Sequence, residues 1–231
     1  MLGYFDYTVW LTYLSLLSAG LGIMVTLNGN GHPYIGIFFL LFCGLCDAFD
    51  GRVARTKKGR TEREKKFGIQ IDSLSDLVAF GVLPACIGNA MIRVCPTINE
   101  IPKFGSGRPT DFTTAILLFT IILFYILAAL IRLAYFNVME EERQETEDGV
   151  RKYFQGLPVT SSALIFPTVL LLQFITAADI TPVYFAVMIA TGFMFIVDVK
   201  IPKPGLRGIL ALIGVGVIEF IVFIIALFMF R

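Results

Sequence analysis

The sequence predicts an all-α integral membrane protein, a polytopic bundle of about seven transmembrane helices. Three observations predict it. Hydrophobic residues fill 56% of the 231 positions and charged residues only 16%, against roughly 25% charged in an ordinary soluble domain. The apolar residues fall into seven stretches, about 8–28, 33–50, 71–94, 112–139, 158–177, 182–198 and 208–230. The basic residues collect in alternate connections between them. Such a composition excludes a soluble globular enzyme, a disordered chain and a secreted disulfide scaffold. With 19 basic and 18 acidic residues, bulk charge gives no reason to expect a nucleic acid partner.

Each stretch is near the length that crosses roughly 30 Å of hydrocarbon at about 1.5 Å per residue. Helices are required because lipid offers the backbone no hydrogen-bond partners, and the stretches lack the alternation of barrel strands. The first span follows a stretch without basic residues, so no cleaved signal peptide is expected. A tight turn, Asn28-Gly-Asn-Gly-His-Pro33, leads into the second, with Pro33 at the helix start. The second and third spans flank segment 52–66, which holds eight basic residues. Pro96, Pro102 and Pro109 mark a longer loop before the fourth span, which runs out into the solvated acids Glu140, Glu141 and Glu142. Gly156-Leu157-Pro158 opens the fifth, and Pro202, Pro204 and Gly205 divide the sixth from the seventh.

Segments 52–66, 140–157 and 199–207 together hold fourteen of the nineteen basic residues, whereas the opposite connections hold only Lys103 and Arg108. The positive-inside rule therefore puts the N-terminus in the cytoplasm, with 52–67, 140–157 and 199–207 as cytoplasmic loops. Residues 1–231 read as a single membrane domain, expected in the cell membrane with its active site facing the cytoplasm.

The chemistry lies where the second span ends and the third begins. Asp47 and Asp50 are three apart, and Asp72 and Asp76 four apart, so each pair shares a helix face. Asp47 lies 14 residues beyond Pro33, about 21 Å along a helix and still within the membrane. Intramembrane acids each cost a few kcal/mol, and four facing one another would also repel. Two divalent cations would cancel their charge. Oxygen ligands with no histidine in reach suit Mg²⁺ or Mn²⁺, and a pair of such ions is a clamp for phosphoryl displacement. Gly51 and Ala54 leave room on the same turns for a flat group such as a nucleotide, and Arg55 can pair with a phosphate. A solvated helix cap would explain Asp47 and Asp50 alone, but not four acids on two consecutive spans.

The pattern Asp47, Asp50, Gly51, Ala54, Arg55, then Gly68, Asp72 and Asp76 resembles the signature of the CDP-alcohol phosphotransferases at every fixed position. The departure is the spacer, 12 residues from 56 to 67, longer than is usual in that family. The resemblance implies a six-helix core, usually dimeric, that moves a phosphatidyl-type group from a CDP-linked lipid to an alcohol and releases CMP. It implies that Asp47, Asp50 and Asp72 hold two Mg²⁺ or Mn²⁺ ions. It implies that Asp76 takes the proton of the attacking hydroxyl while also reaching a metal. Gly51, Ala54, Arg55 and Gly68 would line the CDP pocket. Ser15 and Ser18 would face the nucleotide, though hydrogen bonding between helices explains them equally well.

Three further segments resemble the phosphatidylserine synthase branch: Asp72 to Pro84, Arg132 to Asn137 with Phe154 to Pro158, and Val199 to Pro204. L-serine is therefore the expected acceptor. A serine site needs a cation for the carboxylate and an acceptor for the ammonium. Arg132 is either that cation or a side chain snorkelling to the interface, and Asn137 follows one to two turns later. Glycerol 3-phosphate or inositol phosphate is the alternative acceptor, and would call for a denser basic pocket than Arg132, Arg151 and Lys152. A divalent-cation transporter is the remote alternative, but the inverted repeats expected of one are not visible. Cys43 and Cys46 read as core packing within an apolar helix, and Cys86 and Cys95 suggest no disulfide framework. Glu219, midway along the last span, reads either as a functional intramembrane acid or, equally well, as a partner for a hydroxyl of a neighbouring helix.

Overall fold

The structure is a computed structural model and describes residues 3–28, 32–94, 109–146, 153–176, 179–202 and 205–229. The turn at 29–31 and Pro96, Cys95, Pro102, Lys103, Arg108, Arg151, Lys152, Lys203 and Pro204 lie outside them. The elements in order are α1 (Trp10–Leu27), α2 (Pro33–Thr56), α3 (Glu62–Asp76), a π-helical segment (Leu77–Val82), α4 (Leu83–Val94) and α5 (Pro109–Thr146). Then come β1 (Tyr153–Gln155), a 3-10 turn (Val159–Ser161), α6 (Ser162–Ile175), α7 (Thr181–Ile196), β2 (Lys200–Pro202) and α8 (Leu206–Met229). The result is the expected membrane helical bundle. Among the described residues, five helical runs are long and apolar enough to cross a membrane, with α3, the π segment and α4 forming one of them. The fifth and sixth predicted spans correspond to shorter apolar helices, Val159–Phe174 and Thr181–Ile196.

The connections differ from plain loops. Segment 52–67 is helical up to Thr56 and again from Glu62, so only residues 57–61 join α2 to α3. Some of its charges pair locally: Lys65 meets Glu62 at 2.7 Å and Lys57 meets Glu64 at 2.8 Å. Thr61 and Glu64 close a capping box, with the Glu64 N–H donating to Thr61 Oγ1 at 3.2 Å and the Thr61 N–H to Glu64 Oε2 at 2.7 Å. That satisfies two orphan donors of the first turn and starts α3 well before the apolar residues begin. In segment 140–157 the helix α5 continues to Thr146. Segments 140–157 and 199–207 then pair as an antiparallel ribbon, with Phe154 opposite Ile201. The Gly156 N–H extends it, donating to Val199 O at 2.8 Å. Gly156 has φ +73°, and an added Cβ would sit 2.9 Å from the Phe195 carbonyl oxygen, so a side chain there would strain the turn.

One continuous core draws on α1, α2, the π segment and α4 to α8. Tyr125, Phe166 and Tyr184 are fully buried and their rings stack edge-to-face and tilted, at 5.5 and 4.9 Å between centroids. Pro84 explains both the π segment and the placement of Tyr125. Proline has no N–H for the carbonyl four residues back and clashes with it, which forces the helix to widen. That carbonyl belongs to Phe80, and the Tyr125 hydroxyl donates to it at 2.7 Å. At the opposite end Arg93 closes α1, donating to the carbonyls of Asn28 at 2.9 Å, Leu27 at 3.3 Å and Thr26. Of the two readings of Glu219, the helix-to-helix one has a contact: Thr168 of α6 donates to its Oε1. Cys43 and Cys46 are free and buried, as core packing requires.

Candidate active site

Helix α2 carries Asp47, Asp50, Gly51, Ala54 and Arg55 through its last turns, and α3 carries Gly68, Asp72 and Asp76. The fold brings Asp47, Asp50 and Asp72 together, with a carboxylate oxygen of each within 4.8 Å of the others. Three carboxylates gathered this closely repel one another unless a proton or a cation lies between them. Hard oxygen donors at this spacing, with no histidine among them, fit a hard divalent cation. Asp76 lies one turn beyond Asp72, only 8% exposed, outside the three-way group but near enough for the charges of Asp47, Asp72 and Asp50 to act on it. The Gly51 N–H donates to Asp50 Oδ1 and holds that carboxyl against its own turn.

Two glycines border the acids, and each meets a guanidinium. A Cβ on Gly51 would lie 3.4 Å from Nη1 of Arg55, and one on Gly68 would lie 2.7 Å from Nη2 of Arg60. Ala54 is partly exposed one turn beyond Asp50. Ser15 and Ser18 are buried on the face of α1 that meets α2. Ser18 Oγ donates to the Phe39 carbonyl at 3.4 Å, and the Ser15 carbonyl accepts from Cys43 Sγ at 3.3 Å. Both contacts are of the helix-to-helix kind.

The fourth long helix, α5, reaches the site through Asn137, whose Nδ2 donates to Ser73 Oγ at 2.8 Å, one residue from Asp72. Ser75 Oγ donates to the Thr12 carbonyl at 3.2 Å and ties α3 to α1. Arg132 is 5% exposed. Its Nε donates to the Leu157 carbonyl at 3.2 Å, and its guanidinium lies 5.5 Å from the centre of the Phe136 ring.

Outside the membrane, Lys57 bridges Asp6 at 2.7 Å and Glu64 at 2.8 Å. This ammonium, helped by Thr8, holds the Asp6 carboxyl at about 2, below the usual carboxylate range. Lys57, helped by Thr61, does the same to Glu64, also to about 2. The N-terminal segment is further fixed by Tyr4, whose ring stands 5.1 Å from that of Phe67, and by the Trp10 indole N–H, which donates to the Phe5 carbonyl at 2.9 Å. Sequence reasoning missed Arg60, Ser73 and Lys57. For the first and last, the signal was Thr61-x-x-Glu64, a helix start hidden inside a basic run that reads as loop. Ser73 had no signal, because its partner lies 64 residues away.

The family described as CDP-alcohol phosphatidyltransferase matches residues 7–231. The chain is 37% identical over 143 residues to the CDP-diacylglycerol--serine O-phosphatidyltransferase of Saccharomyces cerevisiae, covering 61% of this chain and 43% of that protein. It is 28% identical over 192 residues to the CDP-diacylglycerol--serine O-phosphatidyltransferase of Methanocaldococcus jannaschii, covering 83% and 72%. It is 29% identical over 191 residues to the archaetidylserine synthase of Methanothermobacter thermautotrophicus, covering 82% and 68%. The match thus spans less than half of the yeast protein and about seven-tenths of the two archaeal ones. No solved structure matches.

Proposed function

The chain belongs to the CDP-alcohol phosphatidyltransferase family, and from that premise we propose that it moves the phosphatidyl group of CDP-diacylglycerol, or of a similar CDP-linked lipid, to the hydroxyl of L-serine and releases CMP. The observation that carries the reading is the meeting of Asp47, Asp50 and Asp72 within 4.8 Å across two helices. Serine is supported over other alcohols by the names of the relatives, each of which denotes serine as acceptor.

In this reading Asp47, Asp50 and Asp72 hold Mg²⁺ or Mn²⁺, which when bound neutralises the diphosphate and acts as a Lewis acid on it. Gly51, Ala54 and Gly68 leave space for the nucleotide, and Arg55 offers its guanidinium to a phosphate. The serine hydroxyl oxygen bonds to the phosphorus that carries the diacylglycerol. The bond from that phosphorus to the CMP oxygen breaks, and CMP leaves with the electron pair. The hydroxyl proton passes to the Asp76 carboxylate. Arg132 and Asn137 are the proposed contacts of the acceptor, supported by the Asn137–Ser73 hydrogen bond beside Asp72. We place the reaction on the cytoplasmic face of the cell membrane, in a homodimer, on the strength of the basic connections and the family resemblance.

The test is CMP release by the purified chain from CDP-diacylglycerol with Mn²⁺ or Mg²⁺ and one acceptor at a time. L-serine is expected to support turnover far better than glycerol 3-phosphate or inositol phosphate. Turnover with glycerol 3-phosphate alone would replace serine as acceptor and leave the family standing.

A further inference from the structure

We infer that Arg60, from the connection between α2 and α3, is a second phosphate-binding guanidinium of the site and grips the diphosphate of the CDP-linked substrate opposite Arg55. The inference rests on the CDP-lipid reading above and adds to it a residue that lies outside the eight-residue signature, in this chain's own lengthened spacer.

The two helices present the same order of groups. On α2, Asp47, Gly51 and Arg55 follow at intervals of four, so they form one row: carboxylate, glycine, guanidinium. On α3, Asp72 and Gly68 form the matching row, read in the opposite chain direction, and the next position outward is Glu64. Glu64 brings no cation, and its carboxylate is engaged with Lys57 and Thr61. Its carbonyl instead accepts from Arg60 Nη2 at 3.1 Å. That bond sets the Arg60 guanidinium against Gly68, where an added Cβ would come within 2.7 Å of it. The row is thereby completed by a side chain from outside the helix.

Two further facts favour an anion as its ligand. Arg60 Nε is buried and has no hydrogen-bond partner, although a buried donor of a charged group is costly to leave unmade. Among the described residues, Arg60 pairs with no carboxylate, so its charge is not already neutralised by an acid of the chain. A guanidinium with donors to spare, one turn from a cluster of metal-type carboxylates, matches the forked geometry of a phosphate. The capping box at Thr61 gives the device its rigidity, because it fixes the residue next to Arg60 at the first turn of α3.

The experiment is calorimetric titration of the full chain in lipid nanodiscs with CDP and with CDP-diacylglycerol in Mg²⁺, alongside CMP release. Arg60→Ala is expected to raise both dissociation constants about tenfold, the size of one lost charge-assisted contact. Arg60→Met keeps a stem over Gly68 without the charge and is expected to lose as much. Arg60→Lys, a point charge without the fork, is expected to recover part of the loss. A dissociation constant within twofold of wild type for Arg60→Ala or Arg60→Met overturns the inference and leaves the enzyme assignment intact. If the wild-type chain itself binds neither CDP nor CDP-diacylglycerol, the assignment falls, and the inference falls with it. Should Arg60→Ala not fold, the Met and Lys variants decide the question by the same criteria.

Discussion

A serine hydroxyl is a weak nucleophile at neutral pH, and a positioned base is worth roughly 10²–10⁴-fold in rate. Asp76 stands one turn past the three clustered acids, which separates its task from theirs. Asp76→Asn is expected to bind CDP-diacylglycerol within a few-fold of wild type and to lose nearly all transfer. Asp47→Asn and Asp72→Asn are expected to weaken metal-dependent binding as well. Near-normal CMP release by Asp76→Asn would remove it as the base. A second residue-level outcome concerns Asp6. Its carboxyl is held at about 2 by Lys57 against an ordinary value of 3.8. A depressed carboxylate stabilises the fold above the unfolded value, and that contribution drains away as pH falls from about 4 to about 2. Trp10, the only tryptophan, is tied to the same segment through Phe5. Its fluorescence is expected to change over that interval in wild type, and Asp6→Asn is expected to erase the step. An identical titration in both proteins would show that the Asp6–Lys57 pair does not hold the segment.

At the scale of elements, the π segment set up by Pro84 is completed by a hydroxyl from another helix. Pro84 leaves the Phe80 carbonyl without an amide, and Tyr125 supplies the donor from α5. Tyr125→Phe strands that carbonyl in the core and is expected to cost about 1–3 kcal/mol, read as a lower melting temperature in detergent. In a Pro84→Ala background the amide returns, and the same substitution is expected to cost less. Equal costs in the two backgrounds would mean that the Phe80 carbonyl was not what Tyr125 served. This part of the fold was not legible beforehand: a proline inside a span reads as a kink, but its remedy lies 41 positions further on in another helix. The acids were legible because i, i+3 and i+4 spacing on two neighbouring helices fixes their face before any tertiary contact forms. The capped start of α3 was hidden by charge, since a run of lysines and arginines looks like solvent-exposed loop until Thr61 and Glu64 are seen to close on each other.

For the whole molecule, the spans could be drawn from hydropathy alone because a bilayer leaves the backbone no alternative to helix. What hydropathy could not give is which spans touch, since most lipid-facing and core-facing side chains are alike apolar. Thus Ser73 with Asn137, and Thr168 with Glu219, emerge only in the assembled bundle. The clustered acids make that assembly sensitive to cations. Ions that bind the folded bundle and not the unfolded chain add about 2.7 kcal/mol when present at a hundred times their dissociation constant. Chelation is therefore expected to lower the melting temperature and abolish CMP release together, with Mn²⁺ or Mg²⁺ restoring both. Full activity in excess chelator would rule out the metal-dependent mechanism. The proposed homodimer is expected to show in native mass spectrometry as twice the chain's 25.6 kDa, and a monomer with full activity would dispose of it.

The ribbon between β1 and β2 has a consequence for how the protein is born. Asp47 and Asp72 belong to neighbouring spans, so the ribosome has added both residues before a third of the chain exists. The turn that receives the Arg132 hydrogen bond is different. It is held by pairing of Phe154 with Ile201 and of Gly156 with Val199, and those partners emerge only after α7 has been threaded into the bilayer. During synthesis the nascent chain therefore carries its acidic centre long before the wall around Arg132 can set. A ribosome-stalled intermediate ending just short of Val199 is expected to be cut by added protease between Tyr153 and Pro158, whereas one extended well past Pro202 resists.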